Sequence, residues 1–327
     1  MFELPSILTA DGLLDKAFGR AMKATAKGPD RMTRARNLAI MRVGTAGKAI
    51  ESTLRGYVKG FPTLDRLPPF YRELVDVLVD VGALKKHLGA VDWAAQKAAE
   101  ITRQYRRRIG RGPGTDIGAL RREAFGRLSS LVHQVSGDLD ALVEARRALR
   151  KLPSIDPDVP TIVVAGYPNV GKSSFVRAVS SGRPKIADYP FTTKGVSLGH
   201  IERGVRRYQI LDTPGILDRP MEKRNRMERQ AIAALRHLAE AIVFLLDPTE
   251  TCGYPLDDQV RLLEEVRALF PDVPLVVAEN KADLEGPSRG HLRISTLTGA
   301  GVGDVLDRVL STLTSRDPAF ALRSASP

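Results

Sequence analysis

The eight residues GYPNVGKS, from Gly166 to Ser173, have the types and spacing that suit phosphate binding. They fit the pattern G-x-x-x-x-G-K-[ST], they follow the apolar run TIVVA, which predicts a buried strand, and they precede a run that predicts a helix. Gly166 and Gly171 permit a backbone path that aims N–H groups at phosphate oxygens, and the helix N-terminus adds positive potential. Lys172 would neutralise the outer phosphates, and the Ser173 hydroxyl would bind Mg²⁺. The motif predicts a nucleotide phosphate site.

A second motif, NKAD at residues 280–283, closes the apolar run PLVVAEN. The Asp283 carboxylate can accept hydrogen bonds from both the ring N–H and the exocyclic amine of guanine, and adenine lacks this pair of donors. A carboxylate left without its partners penalises the wrong base. The nearby stretch ISTLTGAG, residues 294–301, is expected to place the amides of Ser295 and Thr296 near the guanine carbonyl. Together with the phosphate motif, these residues predict GTP rather than ATP.

A third motif, DTPG, begins at Asp212, at the end of the strand candidate RRYQILD. An aspartate in this place holds Mg²⁺ through water in GTP-hydrolysing switch proteins, and the Gly215 amide can bind the γ-phosphate. Between the phosphate motif and DTPG, the segment YPFTTKG at residues 189–195 supplies hydroxyl groups for sensing the γ-phosphate. Thr193 is the expected Mg²⁺ ligand and Thr192 is the alternative; simple strand-edge polarity would also explain either threonine.

The residues expected to contact the nucleotide come from these three motifs and the guanine stretch. They are Asn169, Val170, Gly171, Lys172, Ser173, Ser174, Asp212, Thr213, Pro214, Gly215, Asn280, Lys281, Asp283, Ser295, Thr296 and Leu297. The expected Mg²⁺ ligands are Ser173, Thr193 and Asp212. The expected catalytic residues are Lys172, Thr193, Gly215 and Asn169.

The elements that must position these motifs alternate between strand and helix patterns after residue 160. The apolar strand candidates are TIVVAGY (161–167), RRYQILD (206–212), AIVFLLD (241–247), PLVVAEN (274–280) and LRIST (292–296). Helical patterns lie between most of them. This alternation predicts an α/β domain over residues 161–318, with a mostly parallel sheet, helices on both faces and the ligand at the carboxyl ends of the strands. A short tail is expected at residues 319–327.

The first half of the chain shows no convincing strand. Apolar side chains recur at spacings of three and four residues over 31–59, 68–87, 89–108 and 116–151. The last of these stretches predicts one long helix. Three prolines within residues 152–160 break any helix, so residues 153–160 are expected to form a linker. The pattern predicts an all-α helical bundle over residues 1–152.

The two halves of the chain differ in charge. The formal charge is +11 for residues 1–150 and +1 for residues 151–327, of +12 in total. The basic half favours a polyanionic partner such as RNA, and its arginines include five in RQYRRRIGR (103–111) and a further set at Arg31, Arg34, Arg36 and Arg42. The alternative is a solvated helical surface, since arginine is a good helix former. Trp93 and Tyr105 have the chemistry to stack on bases, but packing in a core is their more ordinary role.

Composition restricts the remaining function classes. A single cysteine, Cys252, excludes an internal disulfide framework and suits a reducing compartment. The N-terminus lacks the features of a signal peptide, and no apolar run approaches the roughly 20 residues of a membrane span. The histidines have no ligand-like spacing, so no zinc site is expected. These features predict a soluble cytoplasmic protein with neither a membrane nor a DNA partner.

Longer stretches resemble the nucleolar GTP-binding protein 1 family, in the translation-factor class of GTPases that includes Obg and HflX. The resemblance covers roughly residues 30–315 and rests on YPFTTKGVSLGHIE, DTPGILDRPMEKRNRMERQAIAALRHL, DPTETCGYPLDDQ, GFPTLDRLPPFYRELVDVLVD and RKLPSIDPDVP. Two features depart from the family pattern. The chain stops at Pro327, whereas eukaryotic members continue for hundreds of residues, and STL stands where many GTPases have Ser-Ala-Lys. A short, archaeal-type member is therefore expected.

The resemblance implies a Mg²⁺-dependent GTPase that acts as a switch in assembly of the large ribosomal subunit. Its expected partners are rRNA, the precursor of the large subunit, and ribosomal or assembly proteins. Two other readings stay open: an RNA-binding scaffold that holds GTP with negligible hydrolysis, and a GTP-sensing adaptor whose helical bundle binds protein.

Catalysis poses a separate question, because Ile216 stands where Ras-like enzymes place the glutamine that orients the attacking water. Asn169 offers one answer, since potassium-activated relatives carry an asparagine there that helps to bind K⁺ between the phosphates. A group supplied by rRNA or a protein partner is a second answer. A cation from the segment after DTPG is a third, with the candidates Arg219, Lys223 and Arg224. Slow basal hydrolysis is expected, with stimulation by potassium or the ribosome.

Overall fold

The computed structural model describes residues 4–111, 116–187, 189 and 195–316. In chain order the helices are α1 (Ala10–Met22), α2 (Arg31–Gly60), α3 (Pro69–Leu78), α4 (Val81–Gly110), α5 (Ile117–Gln134), α6 (Ser136–Leu149), α7 (Lys172–Val179), α8 (Arg226–Leu235), α9 (Leu256–Leu269) and α10 (Val302–Arg316). The strands are β1 (Thr161–Ala165), β2 (Lys185–Ala187), β3 (Val196–Arg203), β4 (Arg206–Asp212), β5 (Ala239–Leu246), β6 (Leu275–Glu279) and β7 (Leu292–Arg293). The chain divides into two compact units, one formed by Met1–Asp65 and Val79–Arg150 and the other by Arg66–Leu78 and Lys151–Pro327.

The first unit is a bundle of α1, α2, α4, α5 and α6. Its two longest helices, α2 and α4, approach closely at Gly47, where a Cβ atom would lie 1.7 Å from Thr102 Oγ1. Only glycine allows this approach. Among the helices that the structure describes, none combines the length and the apolar character that crossing a bilayer requires.

The helix boundaries in this half differ from the expected ones at three places. α1 was not expected; its start is capped by Thr9, whose side chain accepts a hydrogen bond from the Gly12 amide at 3.2 Å. The break expected near residue 88 lies instead before Val81, because the Asp80 side chain caps the start of α4. The long helix expected over 116–151 is two helices, because the backbone of Val135 leaves the helical conformation between α5 and α6.

The second unit is built on one seven-stranded sheet in the order β2-β3-β4-β1-β5-β6-β7. β1 lies between β4 and β5 and is parallel to both, and the β5–β6 and β6–β7 pairs are also parallel. β3 is antiparallel to β4 and to β2. This is the mostly parallel sheet expected for an α/β P-loop GTPase domain. The strands β2 and β3 form an antiparallel edge that sequence analysis did not anticipate.

α3 belongs to the second unit, although its residues lie within the stretch expected to form the bundle. It packs on α8, and its Tyr71 hydroxyl forms hydrogen bonds with the carbonyls of Pro153 (2.9 Å) and Ile155 (2.5 Å) and with the Ile155 amide (3.1 Å). Ile155 is buried, so the segment expected to be a linker, residues 153–160, packs on the second unit through a side chain supplied from before the boundary. This long-range contact explains why local sequence signals misplace the division.

Replacing Tyr71 with phenylalanine is expected to destabilise the second unit by about 1–3 kcal/mol, because buried backbone groups of residues 153–155 lose their hydrogen-bond partner. The free energy of unfolding from urea titrations measures the effect. Tyr208→Phe is the matched control, since Tyr208 is buried in the same unit and its hydroxyl has no hydrogen bond to the part of the chain that the structure describes. Equal losses for the two variants would contradict the proposed role of the Tyr71 hydroxyl.

Candidate nucleotide site

The phosphate motif forms the turn between β1 and α7. Two glycines at its ends adopt left-handed backbone conformations, with φ of +133° at Gly166 and +103° at Gly171. A Cβ atom at Gly171 would lie 2.1 Å from the Asn280 side-chain nitrogen, and one at Gly166 would lie 2.5 Å from the Leu245 carbonyl oxygen. Both the conformation and the space therefore require glycine. The turn leads directly into the N-terminus of α7, as the motif predicts.

Lys172, the first residue of α7, is buried. Its ammonium group donates hydrogen bonds to the carbonyls of Gly166 (2.8 Å) and Tyr167 (2.7 Å) at the start of the same loop. These contacts hold the ammonium inside the curve of the loop. The lysine is thus placed where a phosphate bound in this loop would meet a positive charge.

Ser173 and Asp212 form the centre of the expected Mg²⁺ site. The Ser173 hydroxyl donates a hydrogen bond to Asp212 Oδ2, and Asp212 Oδ1 is buried without a hydrogen-bond partner among the described residues. Burial raises the pKa of Asp212, while the Ser173 hydrogen bond and the charge of Lys172 oppose that rise. A buried carboxylate oxygen with no partner, beside a hydroxyl, fits the oxygen ligands that Mg²⁺ prefers. Thr193 and the alternative Thr192 lie outside the described residues.

The guanine motif is joined to the phosphate loop by Asn280. Its side-chain amide donates hydrogen bonds to the Val170 carbonyl (2.7 Å) and to Thr296 Oγ1 (3.0 Å), and its side-chain oxygen accepts the Thr296 amide (2.9 Å). The Ser295 amide donates to the Ala300 carbonyl at 2.9 Å. Both amides expected to face a guanine carbonyl, those of Ser295 and Thr296, are therefore donated inside the protein in this structure. For either amide to donate to a guanine carbonyl, its hydrogen bond within the protein must first break.

The remaining guanine-side residues differ in their exposure and in their hydrogen-bond partners. Asp283 is exposed and accepts a hydrogen bond from the Ser295 hydroxyl. Leu297 is 83% exposed, so most of its side chain faces solvent. Lys281 has a left-handed φ of +63°, and its ammonium donates to Asp247 Oδ2 (2.6 Å) and to Thr251 Oγ1 (2.8 Å).

Sequence analysis missed Asp247, which directly follows β5 and is completely buried. It accepts hydrogen bonds from the amides of Thr249 (3.1 Å) and Cys252 (2.7 Å) in addition to the bond from Lys281. Hydrogen bonds from Lys281 and its other donors outweigh burial and lower the pKa of Asp247. The available signal was a carboxylate at the carboxyl end of a buried strand, the place that Asp212 occupies on β4.

The turn after Asp212 is packed tightly against the sheet. The Thr213 hydroxyl donates to the Val164 carbonyl at 2.9 Å, so the side chain of this expected nucleotide-binding residue faces the sheet. Ile216 is 2% exposed, and its side chain packs in the core. The residue at the position of the missing glutamine is thereby excluded from contact with water at the site.

The three cations proposed as intrinsic catalytic groups have different surroundings. Arg224 is buried, and its guanidinium donates to the carbonyls of Gly215 and Arg219, each at 2.9 Å. It stabilises the turn and is not available as a mobile finger. Arg219 forms an ion pair with Glu228 at 2.8 Å, and Lys223 is exposed.

One cleft collects the phosphate-side residues. Its lining includes Asn169, Gly171, Lys172, Ser173, Ser174, Asp212, Pro214 and Gly215. The guanine-side residues lie outside this lining and meet the phosphate loop through Asn280 and Val170. The expected site residues that the structure describes are thus brought to the carboxyl-end edge of the sheet by β1, β4, β6 and β7.

Two family models match this chain, one in each half. The family model of the NOG1 N-terminal helical domain matches residues 2–156, and the model of nucleolar GTP-binding protein 1 matches residues 226–283. A Plasmodium falciparum protein provisionally named nucleolar GTP-binding protein 1 has a solved structure that matches with 32% identity and a TM-score of 0.46, covering 53% of this chain and 95% of that chain.

Sequence relatives extend over most of the chain. An uncharacterized protein of Methanocaldococcus jannaschii is 38% identical over 293 residues, which cover 88% of this chain and 82% of that protein. Nucleolar GTP-binding protein 1 of Saccharomyces cerevisiae is 34% identical over 289 residues, which cover 87% of this chain and 45% of that protein. The chain thus spans about half the length of the fungal relatives. Given the two family models and these sequence relatives, together with the fold and the motifs that it positions, the chain belongs to the nucleolar GTP-binding protein 1 family.

Proposed function

We propose that this chain binds GTP with Mg²⁺ and hydrolyses it slowly to GDP and phosphate. The observation that carries this proposal is the hydrogen bond between Asn280 of the guanine motif and the Val170 carbonyl of the phosphate loop. It joins the residues proposed to recognise the base to the loop proposed to bind the phosphates. When bound, Mg²⁺ would be held by Ser173 and Asp212 and would neutralise charge on the phosphate oxygens.

Slow hydrolysis follows from what surrounds the reacting phosphate. Ile216 is buried and apolar, and Arg224 is committed to backbone carbonyls, so neither can orient water or stabilise the transition state. Asn169 is exposed and lines the phosphate cleft, which suits a K⁺ ion held between its side chain and the phosphates. Its φ of +62° gives a second reason for an asparagine here, because asparagine tolerates this conformation better than most residues.

GTP turnover in KCl and in NaCl at equal ionic strength tests the catalytic proposal. Turnover is expected to be faster in KCl, by less than the about 10³–10⁵-fold that an arginine finger supplies, and to rise further with large ribosomal subunits. The Asn169→Gly variant keeps the left-handed backbone and removes the amide, so it should lose selectivity for potassium. A glycine variant with full selectivity would contradict the K⁺ role of Asn169.

A second candidate is an RNA-binding scaffold that holds GTP without hydrolysing it. The burial of both Ile216 and Arg224 favours it, because each removes a route to catalysis. Bound nucleotide with negligible turnover in both salts, with and without ribosomal subunits, would establish this candidate in place of the enzyme.

We further propose that the first unit binds rRNA in a precursor of the large ribosomal subunit. Arg103, Arg106 and Arg107 are exposed on α4 and line a groove of the bundle together with Lys48 of α2. Tyr105 lies between them in sequence but is buried, and its hydroxyl donates to Glu123 at 2.6 Å, so it does not stack on a base. The basic character of this surface counts against the protein-binding adaptor.

The partners of such a switch would include ribosomal or assembly proteins, in a cytoplasmic setting that the single cysteine suits. GTP hydrolysis would change the segments near residues 183–195 and 213–229 and loosen docking.

RNA binding is expected to depend on the α4 arginines. Replacing Arg103, Arg106 and Arg107 with glutamine should reduce the slope of log K against log salt concentration by about 2–3, because each lost phosphate contact removes close to one released counterion. Filter binding of large-subunit rRNA over a range of KCl concentrations measures this slope. Lys16 and Arg20 on α1 and Lys23 directly after it are exposed, and they form a control triple with the same charge. Equal reductions of this slope for the two triple variants would contradict the proposal that the α4 arginines form a specific RNA-binding surface.

A further inference from the structure

Asp218 lies in the turn after DTPG and has no role in the nucleotide site described above. Its carboxylate oxygen Oδ2 accepts a hydrogen bond from the Gly215 amide at 2.6 Å. Gly215 has a φ of +79°, which turns this amide toward Asp218. The same amide is the group assigned above to the γ-phosphate of GTP. In this structure a carboxylate therefore occupies the hydrogen-bonding position of that phosphate.

The position of Asp218 is stabilised by a buried arginine. The Arg224 side chain is 1% exposed, and its guanidinium lies 3.6 Å from Asp218 Oδ1. The same guanidinium donates to the carbonyl of Gly215 at 2.9 Å. The amide and the carbonyl of Gly215 are thus each engaged by one member of an Asp218–Arg224 pair, and the pair sets the orientation of this residue.

Asp218 also faces the phosphate cleft. It lines the same cleft as Lys172, Ser173 and Asp212. Burial and, to a smaller extent, the negative charge of Asp218 raise the pKa of Asp212. A negative side chain in this place would meet the outermost phosphate of a bound nucleotide rather than the inner ones, because Gly215 lies at the γ-phosphate end of the site.

We propose that Asp218 is a specificity-determining residue that competes with the terminal phosphate of GTP for the Gly215 amide. The inference rests on the proposed GTP binding. A triphosphate must displace the carboxylate and pass close to its charge, whereas a diphosphate does not reach the amide. Asp218 therefore lowers the affinity for the triphosphate relative to the diphosphate. When displaced, the carboxylate retains Arg224 as its partner. The turn therefore has two states: with the diphosphate the Gly215 amide is bound to Asp218, and with the triphosphate it is bound to the terminal phosphate.

A purely structural role for Asp218 predicts something different. If the contact only stabilised the turn, weakening it would reduce the affinities for both nucleotides alike. If Asp218 instead acted on the attacking water, its replacement would reduce turnover and leave the ratio of the two affinities unchanged. The ratio of triphosphate to diphosphate affinity is thus the measurement that separates competition from the other two roles.

The test compares the wild type with Asp218→Asn, using the full chain, GDP and guanosine 5′-(β,γ-imido)triphosphate, each with Mg²⁺. Asparagine keeps the shape and a weaker, neutral acceptor, so the affinity ratio is expected to rise about 5–10-fold in favour of the triphosphate. Glu228→Gln is the matched control, because Glu228 lines the same cleft and pairs with Arg219 without contacting Gly215. An unchanged ratio for Asp218→Asn, or an equal rise for Glu228→Gln, would overturn the competition.

A measurement on the wild type does not depend on how the variant folds. In wild-type protein labelled with ¹³C and ¹⁵N, the Gly215 amide signal is assigned through its chain neighbours Pro214 and Ile216. This signal is expected to keep its position with GDP and to shift with the triphosphate analogue. Identical Gly215 signals in the two complexes would overturn the inference while GTP binding stands. A wild-type chain that binds neither nucleotide would overturn the proposed function and this inference together.

Discussion

Replacing Lys172 with alanine is expected to reduce GTP turnover by about 10²–10³-fold, the loss that follows removal of one preorganised donor from developing charge. It should weaken GTP binding as well, because the phosphates lose a positive charge within a largely buried loop. Steady-state turnover and nucleotide titration together measure the two effects. Removal of the ammonium also leaves the carbonyls of Gly166 and Tyr167 without their closest donor, so the loop itself is expected to loosen.

The control for this variant is Arg177→Ala. Arg177 is an exposed cation on the same helix and lines the same cleft, but it has no hydrogen bond to the loop carbonyls in the described part of the chain. Its replacement removes one positive charge without touching the phosphate loop, and a much smaller change is expected. Similar losses for both variants would show that the cleft responds to overall charge, and the assignment of Lys172 would fail.

The second large effect concerns base selection. Asp283→Asn is expected to reduce the affinity for GTP by about 10²–10⁴-fold, because two hydrogen bonds to a charged acceptor, each worth about 1.5–3 kcal/mol, are lost. Xanthine carries a carbonyl where guanine carries the exocyclic amine. The asparagine amide can donate to that carbonyl, so the variant should prefer xanthosine triphosphate. Competition between the two nucleotides for the wild type and the variant measures this reversal.

Ser295→Ala separates base contact from loop support. Ser295 donates its hydroxyl to Asp283, so its removal loosens the carboxylate without changing which atoms face the base. This variant is expected to bind GTP more weakly and to keep guanine preference. If Asp283→Asn weakened the binding of GTP and of xanthosine triphosphate by the same factor, the assignment of Asp283 to the base would be contradicted.

Local signals in the sequence were sufficient wherever a motif carries its own geometry. GYPNVGKS specifies a strand, a turn and a helix within a few residues, and two left-handed glycines, Gly166 and Gly171, complete it. The strand before this motif, TIVVA, and the run LVVA just before Asn280 are continuous apolar runs, and buried parallel strands have this pattern. The strand that ends in Asp212 is apolar only over its last residues, Ile210 and Leu211. The sequence by itself therefore determined the fold class, the family and the elements that carry the phosphate and guanine motifs.

Tertiary structure decided the features that depend on residues far apart in the chain. Tyr71 joins α3 to residues 153–155, and no periodicity within either segment indicates that contact. Likewise, whether an arginine in a charged run is solvated or buried depends on its neighbours in space. Arg224 was a candidate catalytic cation by sequence and is a structural partner of Gly215 in the fold.

The same reason applies to two carboxylates that sequence analysis did not single out, the buried Asp247 and the partly buried Asp218. Asp247 meets Lys281, and Asp218 meets Arg224 and the Gly215 amide, only after the loops between the strands have closed. The types and spacing of residues determine what chemistry a segment can perform and which helix or strand carries that segment. Which carboxylate faces which amide is set by burial and charge in the folded state, because those interactions form between segments whose sequence separation places no local constraint on them.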